Sequence, residues 1–162
     1  MPLSAQILAL VAAALHVLFF YLESIVFSKP STWKGFGIGS QEEADHVKPM
    51  ALNQGFYNLF LAIGIVVGFI RLRSEHSDLE HLSNLVTAVG ATGSPADVAN
   101  AHAAVGQFAG LHHWGAAVVI FALLSMLGAA LVLIISTRGR LLRGALIQGL
   151  VPAIALLITA VA

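Results

Sequence analysis

The chain contains no cysteine, and few of its residues are charged. Without cysteine it can form neither a disulfide, nor a thiolate metal site, nor a thiol nucleophile. Only 10% of its 162 residues are Asp, Glu, Lys or Arg, whereas a soluble domain carries about 25%. The eight basic and eight acidic residues balance to a formal net charge of zero, so we expect no nucleic-acid partner. The composition therefore excludes an ordinary soluble domain.

Long apolar runs make up most of the chain, which is 58% hydrophobic with a mean hydropathy of +0.88. Four stretches reach the length of about 20 residues that a helix needs to cross a bilayer. They are approximately residues 7–27, 50–72, 114–135 and 144–162. We predict an all-α fold in the lipid bilayer, an integral membrane four-helix bundle that forms a single domain over residues 1–162. The first stretch is read as a retained span because no Lys or Arg precedes it.

The positions of the basic residues predict how the spans are oriented. Six of the eight lie in or beside loops one and three, and two begin loop two. The six are Lys29, Lys34, Lys48, Arg138, Arg140 and Arg143, and the two are Arg71 and Arg73. By the positive-inside rule, loops 28–49 and 137–143 are expected in the cytoplasm. Both termini and loop 74–113 are then expected outside.

The first connector, residues 28–49, is expected to contain no long helix, because Pro30, Gly35 and Gly37 prevent one. Trp33 and Phe36 suit the headgroup layer, as an interfacial anchor or as a lid over neighbouring polar residues. Farther along the chain, His112-His113-Trp114 is expected to be a second interfacial anchor.

Loop two, about residues 75–111, is expected to contain two short amphipathic helices. Leucine and valine recur there at helical spacing over residues 79–89, before Gly90 and Gly93 break the pattern. Ser94, Pro95 and Asp97 then form a helix start, with a capping hydroxyl and a carboxylate three residues on. A crowded group opens the loop and suits a solvated helix start better than a cation site: Glu75, His76, Asp78, Glu80 and His81.

Polar side chains inside the predicted spans are the candidate functional residues, because such groups are costly in lipid. Seven residues separate His16 from Glu23, which puts them on one helix face about 10 Å apart along the axis. A group from another span is needed to bridge them. The predicted polar cluster, in the cytoplasmic half of the bundle, comprises His16, Tyr21, Glu23, Asn53, Gln54, Tyr57, Asn58 and Gln148.

Two interpretations of this cluster stay open. The first is interhelical hydrogen bonding that holds the spans together, at about 1 kcal/mol per bond. The second is a small polar cavity that binds a ligand or handles protons, with Glu23 and His16 as its titratable members. A metal site is disfavoured, because two ligands at this separation are too few for zinc. We expect no metal, no cofactor and no catalytic residue.

Four sequence blocks carry a resemblance to a known family. They are His16-Val-Leu-Phe-Phe-Tyr21-Leu-Glu23, Phe36-Gly37, Asn53-Gln54-Gly55-Phe56-Tyr57-Asn58 and Gln148-Gly149-Leu150-Val151-Pro152-Ala153. The chain resembles the small bacterial membrane proteins grouped as domain of unknown function 1304 on the strength of these blocks. The resemblance implies four helices in the bacterial inner (plasma) membrane, without an assigned chemistry. Loop two is longer than the resemblance leads us to expect.

Two functions therefore compete. The first is an accessory or scaffold subunit that packs against a larger helical membrane protein or forms a homo-oligomer, which fits the small size and the small-residue faces. Gly64 and Gly68 on span two are an example of such a face. The second is a ligand-binding, transport or enzymatic bundle with a polar cavity around Glu23 and His16. We favour the first, because no catalytic motif is found.

Overall fold

Within residues 1–111 and 114–162, six α-helices and one π-helical turn make up the fold. The computed structural model describes residues 1–111 and 114–162, so His112 and His113 of the expected interfacial anchor lie outside the described residues. In chain order the elements are α1 (Leu3–Phe20), a π-helical turn (Tyr21–Ile25), α2 (Pro30–Gly35), α3 (Gln41–Thr92), α4 (Pro95–Leu111), α5 (Trp114–Ser136) and α6 (Leu142–Val161). No strand occurs within these described residues, so the prediction of an all-α fold is confirmed.

In the part of the chain that the structure describes, four helical segments are long and apolar enough to cross a membrane. The most apolar 18-residue window has a mean hydropathy of 2.2 in Leu3–Ile25, 1.8 in Gln41–Thr92, 3.0 in Trp114–Ser136 and 2.1 in Leu142–Val161. Each corresponds to one of the four predicted spans. The chain is therefore a multi-pass membrane protein by the length and composition of its helices.

The second half of the first connector is helical, which the sequence interpretation missed. Helix α3 begins at Gln41, nine residues before the predicted start of span two at Met50, and carries Pro49 inside it. Two hydrogen bonds hold this start: the Ser40 hydroxyl accepts from the Glu43 backbone N–H at 3.1 Å, and the Glu43 carboxylate accepts from the Gly39 N–H at 3.0 Å. The Ser-x-x-Glu spacing of a capping box was the signal in the sequence.

Helix α3 also continues farther than predicted, to Thr92. The helix expected over residues 79–89 is thus the end of α3 and not a separate element, because residues 69–89 contain neither glycine nor proline to stop it. The expected break follows at Gly93. Helix α4 then begins at Pro95, where the Asp97 carboxylate accepts from the Ser94 N–H at 3.0 Å and from the Ser94 hydroxyl at 2.7 Å. The predicted start of α4 is confirmed, while the amphipathic character of these helices stays a prediction.

The chain divides into two compact units, Met1–Val66 with Val119–Ala162, and Val67–Val118. In the first unit α1 packs against α6, and small side chains form the contact faces. Ala5, Ala9 and Ala12 are buried on α1, and Ala145, Gly149 and Ala155 on α6. A Cβ added at Gly149 would lie only 2.7 Å from the Cβ of Ala130 on α5. Small residues are what allow helices to approach this closely within a membrane.

Trp33 belongs to a buried aromatic corner rather than to an exposed anchor. Its side chain is only 4% exposed and packs with Phe27 and Ala44, while Phe36 lies at the edge of the group. Its indole N–H has no hydrogen-bond partner among the described residues. An interfacial anchor keeps its polar tip in contact with water, so that interpretation was wrong for Trp33, whose ring is enclosed by Phe27 and the start of α3.

Candidate functional site

Glu23 lies in the middle of the π-helical turn that ends the first membrane-length helix. The Val26 N–H donates to the Tyr21 carbonyl at 3.1 Å, five residues back, where an α-helix would use a carbonyl four residues back. A π turn thus accommodates one more residue than an α turn, and it shifts every later side chain around the helix axis. Single π turns are frequent at functional sites.

Gly55 on α3 lets this turn approach closely. A Cβ at Gly55 would overlap the Ser24 hydroxyl and would lie 3.2 Å from the Glu23 Cβ. The Ser24 hydroxyl donates to the Leu52 carbonyl on α3 at 3.2 Å. Glycine is therefore required at this position by a side chain of the facing element, and the close approach brings Glu23 within reach of α3.

A hydrogen bond joins Glu23 to α3. The Asn58 side-chain amide donates from Nδ2 to Glu23 Oε2 at 2.7 Å. Asn58 is buried and Glu23 is half-buried. The second carboxylate oxygen, Oε1, has no hydrogen-bond partner within residues 1–111 and 114–162. The pair is thus able to link two spans and still leave one acceptor available.

His16 lies deeper in the same helix and is fully buried. Its Nδ1 is 2.9 Å from the Ala12 carbonyl, which places the ring proton on Nδ1 and leaves a lone pair on Nε2. Nε2 is buried without a hydrogen-bond partner in the described part of the chain. Phe19 packs against the imidazole edge, with the ring centroids 5.8 Å apart. An unused buried acceptor is uncommon in folded proteins and calls for an explanation.

The structure brings together only part of the predicted cluster. Asn58 turns toward Glu23, whereas Tyr21, Asn53, Gln54 and Tyr57 are exposed, and Gln148 is half-buried on α6. None of these last five makes a side-chain hydrogen bond to the described residues. The reason lies in the face that α3 buries, which consists of Gly55, Asn58, Ala62 and Ile65 at helical spacing. The four polar positions Asn53, Gln54, Tyr57 and Asn58 cover an arc of about 140° around the helix axis, which is too wide for one contact face, and only Asn58 at its edge belongs to the buried face.

Sequence reasoning missed a second polar cluster, in the unit Val67–Val118. Glu75 is only 5% exposed, so its interpretation as part of a solvated helix start was wrong. Its Oε1 accepts from the Gly115 backbone N–H in the first turn of α5 at 3.3 Å and lies 3.5 Å from Arg71 Nε. The Arg71 guanidinium lies 5.3 Å from the Trp114 ring centroid. A carboxylate placed here satisfies an unpaired N–H of the helix start and matches the helix dipole.

The close approach of α3 to α5 explains the burial of Glu75. A Cβ on Gly115 would lie 2.8 Å from the Leu72 backbone nitrogen and 3.0 Å from the Gly68 carbonyl oxygen. The signal in the sequence was the spacing of Arg71 and Glu75 as an i,i+4 pair next to Gly68. The nearby His76–Glu80 pair, 3.3 Å apart, has both side chains 68% exposed and fits the solvated interpretation.

The described residues contain no group of three or more His, Asp or Glu side chains that would hold a metal ion. The arrangement supplies hydrogen bonds between spans, one available carboxylate oxygen at Glu23 and one buried nitrogen at His16. The chemistry open to it is therefore helix association or the binding of a small polar molecule or proton.

Comparisons with known proteins identify the family and nothing more specific. No curated protein and no solved structure matches the chain. A family model matches residues 10–95, just over half of the chain, and this segment includes His16, Glu23 and the block from Asn53 to Asn58. Gln148 lies beyond it. The resemblance seen in the sequence blocks is thereby confirmed, and the chain belongs to the family described as protein of unknown function (DUF1304).

Proposed function

We propose that this protein is an accessory or scaffold subunit of the bacterial inner membrane, whose four spans form one bundle that binds a helix of a larger membrane protein. The observation that carries the proposal is the outward face of α3. Asn53, Tyr57 and Gly64 share one side of this helix by their spacing. Asn53 and Tyr57 are exposed, and a Cβ at Gly64 would meet no atom within 4 Å.

Polar side chains on an outward face need a partner inside a membrane. Asn53 and Tyr57 lie within the predicted span 50–72, and lipid tails cannot accept or donate hydrogen bonds to them. A helix from another protein supplies such partners, and Gly64 gives its backbone room to approach. A neighbouring side of α3 bears Ile63 and Val67, which are exposed and wholly apolar, as a lipid-facing surface requires.

Site-specific photocrosslinking tests the proposal. A benzophenone amino acid is placed at Tyr57, which is 55% exposed, and in a matched control at Ile63, which is 48% exposed. We expect the Tyr57 position to capture one larger membrane protein in native membranes and the Ile63 position to capture lipid. Lipid capture alone at both positions would contradict the proposal. A product of twice the mass of this chain would replace the accessory role with a homo-oligomer.

A second function, a polar ligand site around Glu23 and His16, is favoured by one specific observation. Glu23 keeps an available oxygen on a π turn, and His16 keeps an unused buried nitrogen in the same helix. A small cationic or hydrogen-bonding molecule would bind the available Glu23 oxygen, and the His16 nitrogen lies about 10 Å deeper along the helix axis. For this function too we propose the membrane orientation that the basic residues predict, with loops 28–49 and 137–143 in the cytoplasm.

Native mass spectrometry of the protein released from membranes tests this second function. We expect a small-molecule adduct on the wild type that is absent from Glu23→Gln, while Glu42→Gln, at an exposed position, retains it. If Glu23→Gln keeps the adduct, or if neither protein carries one, the cluster serves only to hold the helices together.

A further inference from the structure

A cavity at the turn between α5 and α6 lies apart from the polar cluster and has the opposite electrostatic character. Its volume is about 580 Å³, and its lining includes Arg138 and Arg140 but no acidic side chain. Neither arginine forms an ion pair with the carboxylates of residues 1–111 and 114–162. Two uncompensated guanidinium groups beside one open cavity favour an anionic ligand.

Another part of the cavity wall comes from the first connector. Phe36 and Gly37 line the cavity with Leu141, and a Cβ at Gly37 would lie 3.4 Å from the Leu141 side chain. Gly37 has a φ of +79°, which favours glycine at this position. The cavity is thus built by two separate segments of the chain and combines an apolar wall with a cationic rim.

The backbone of the turn between α5 and α6 adds to the positive character of the cavity. Arg138 adopts a φ of +51° and Gly139 a φ of +79°, so a non-glycine residue is held in the unfavourable left-handed region. The Thr137 hydroxyl donates a hydrogen bond to the Leu133 carbonyl at 2.7 Å. Helix α6 begins directly after the turn, and its N-cap residue Leu141 provides no side-chain hydrogen bond. The positive end of a 20-residue helix therefore borders the same cavity.

We propose that this cavity binds a phosphate group at the membrane surface, with Arg138 and Arg140 as its ligands. The turn joins two membrane-length helices, so the cavity lies at the level of the lipid headgroups. Basic pockets between transmembrane helices recognise anionic headgroups, and the apolar wall of Phe36 and Leu141 suits the start of an acyl chain. A phospholipid headgroup and free inorganic phosphate share this chemistry, and the test separates the two.

The test measures lipid adducts on the full-length protein by native mass spectrometry in mild detergent. Phosphatidylglycerol and phosphatidylcholine are added separately, and inorganic phosphate is then added as a competitor. We expect phosphatidylglycerol to be retained and phosphatidylcholine to be lost. Resistance of the adduct to millimolar phosphate identifies a lipid, whereas its displacement by phosphate identifies the free anion as the ligand.

Charge-removal variants assign the binding to this cavity. Arg138→Gln and Arg140→Gln should each weaken phosphatidylglycerol retention about tenfold, since a charge-assisted hydrogen bond is lost. Arg143→Gln removes the same charge from the same region but from a residue that does not line the cavity, and should have little effect. Arg140→Lys preserves the charge. Its retention of phosphatidylglycerol would show that the loss of binding in Arg140→Gln does not come from misfolding. Equal losses in all three Gln variants, or equal retention of the two lipids by the wild type, would overturn the proposal.

Discussion

Asn58 on α3 donates a 2.7 Å hydrogen bond to Glu23, which the π-helical turn after α1 presents to it. The two residues are 35 positions apart in sequence, and they belong to two different membrane-length helices. Within lipid this bond has no competing water, so both groups depend on each other. The pair therefore defines where the first two spans are held in register.

The Glu23–Asn58 bond predicts a difference between two substitutions at Glu23. Glu23→Ala should lower the free energy of unfolding by about 1 to 2 kcal/mol, because the buried Asn58 amide loses its acceptor. Glu23→Gln should cost much less, since its amide oxygen accepts the same bond. Unfolding in mixed detergent micelles measures both, with Gln54→Ala at an exposed position as the control. Equal losses for Gln and Ala would show that the charge, and not the bond, stabilises the fold.

Two glycines on α3 predict opposite responses to alanine. Gly55→Ala should lower the free energy of unfolding by about 1 to 3 kcal/mol, because the new Cβ overlaps Ser24 and presses on Glu23. Gly64→Ala should be neutral or stabilising in the isolated protein, since its Cβ enters open space and alanine favours helix. Thermal unfolding in detergent compares the two. Similar losses of stability at both positions would mean that the substitutions act on helix α3 itself and not on its contact with the π turn.

The buried carboxylate of Glu75 predicts a stability effect in the unit Val67–Val118. Glu75→Ala should destabilise this unit by about 1 to 3 kcal/mol, because the Gly115 N–H loses its acceptor and Arg71 loses its ion-pair partner. Glu80→Ala is the matched control, since that carboxylate is largely exposed and pairs only with His76. Hydrogen exchange over residues 67–85 and 115–118 measures the effect. Equal protection in both variants would contradict the role given to Glu75.

The start of α4 predicts a dependence on pH. Hydrogen bonds from the Ser94 hydroxyl and the Ser94 backbone N–H hold the pKa of Asp97 below its ordinary value. A carboxylate whose folded pKa is depressed stabilises the fold above its unfolded pKa, and this contribution is lost as the pH falls through the lower folded value.

Exchange protection of the amides at residues 97–100 should therefore be constant near neutral pH and should fall once the pH drops below about 3.9. Asp97→Asn should remove this dependence, while Asp78→Asn should leave it intact. A protection profile that is independent of pH in the wild type would refute the capping role.

The distribution of basic residues predicts which loops an impermeant reagent reaches. Single cysteines are best placed at Lys34 and Ala91, both exposed, because the hydroxyls of Ser40 and Ser94 cap helices. Ala91→Cys should be labelled by an impermeant maleimide in intact cells, and Lys34→Cys only after permeabilisation. The cysteine-free wild type is the control. The reverse pattern would invert the orientation of every span.

The features that could be predicted from the sequence are those that depend only on residues close together in the chain. The four apolar runs follow from composition over about 20 residues, and the start of α4 follows from Ser94, Pro95 and Asp97. The capping signal at Ser40 and Glu43 was equally local and was overlooked, so the helix that contains span two was expected to begin later than it does. Family membership follows from sequence blocks and required no geometry.

Only the tertiary structure decided which polar residues meet. Helical spacing alone places Asn53, Gln54, Tyr57 and Asn58 on one broad arc, but a contact face is narrower, and the facing π turn selects Asn58. Glu75 resembles its exposed neighbours in sequence, yet the approach of Gly115 to α3 buries it. The sequence by itself determined most of the helices and their membrane-length apolar composition, because helix propensity and hydropathy act locally. Burial and pairing of each polar side chain depended on distant segments, because a hydrogen bond between helices exists only once both are in place.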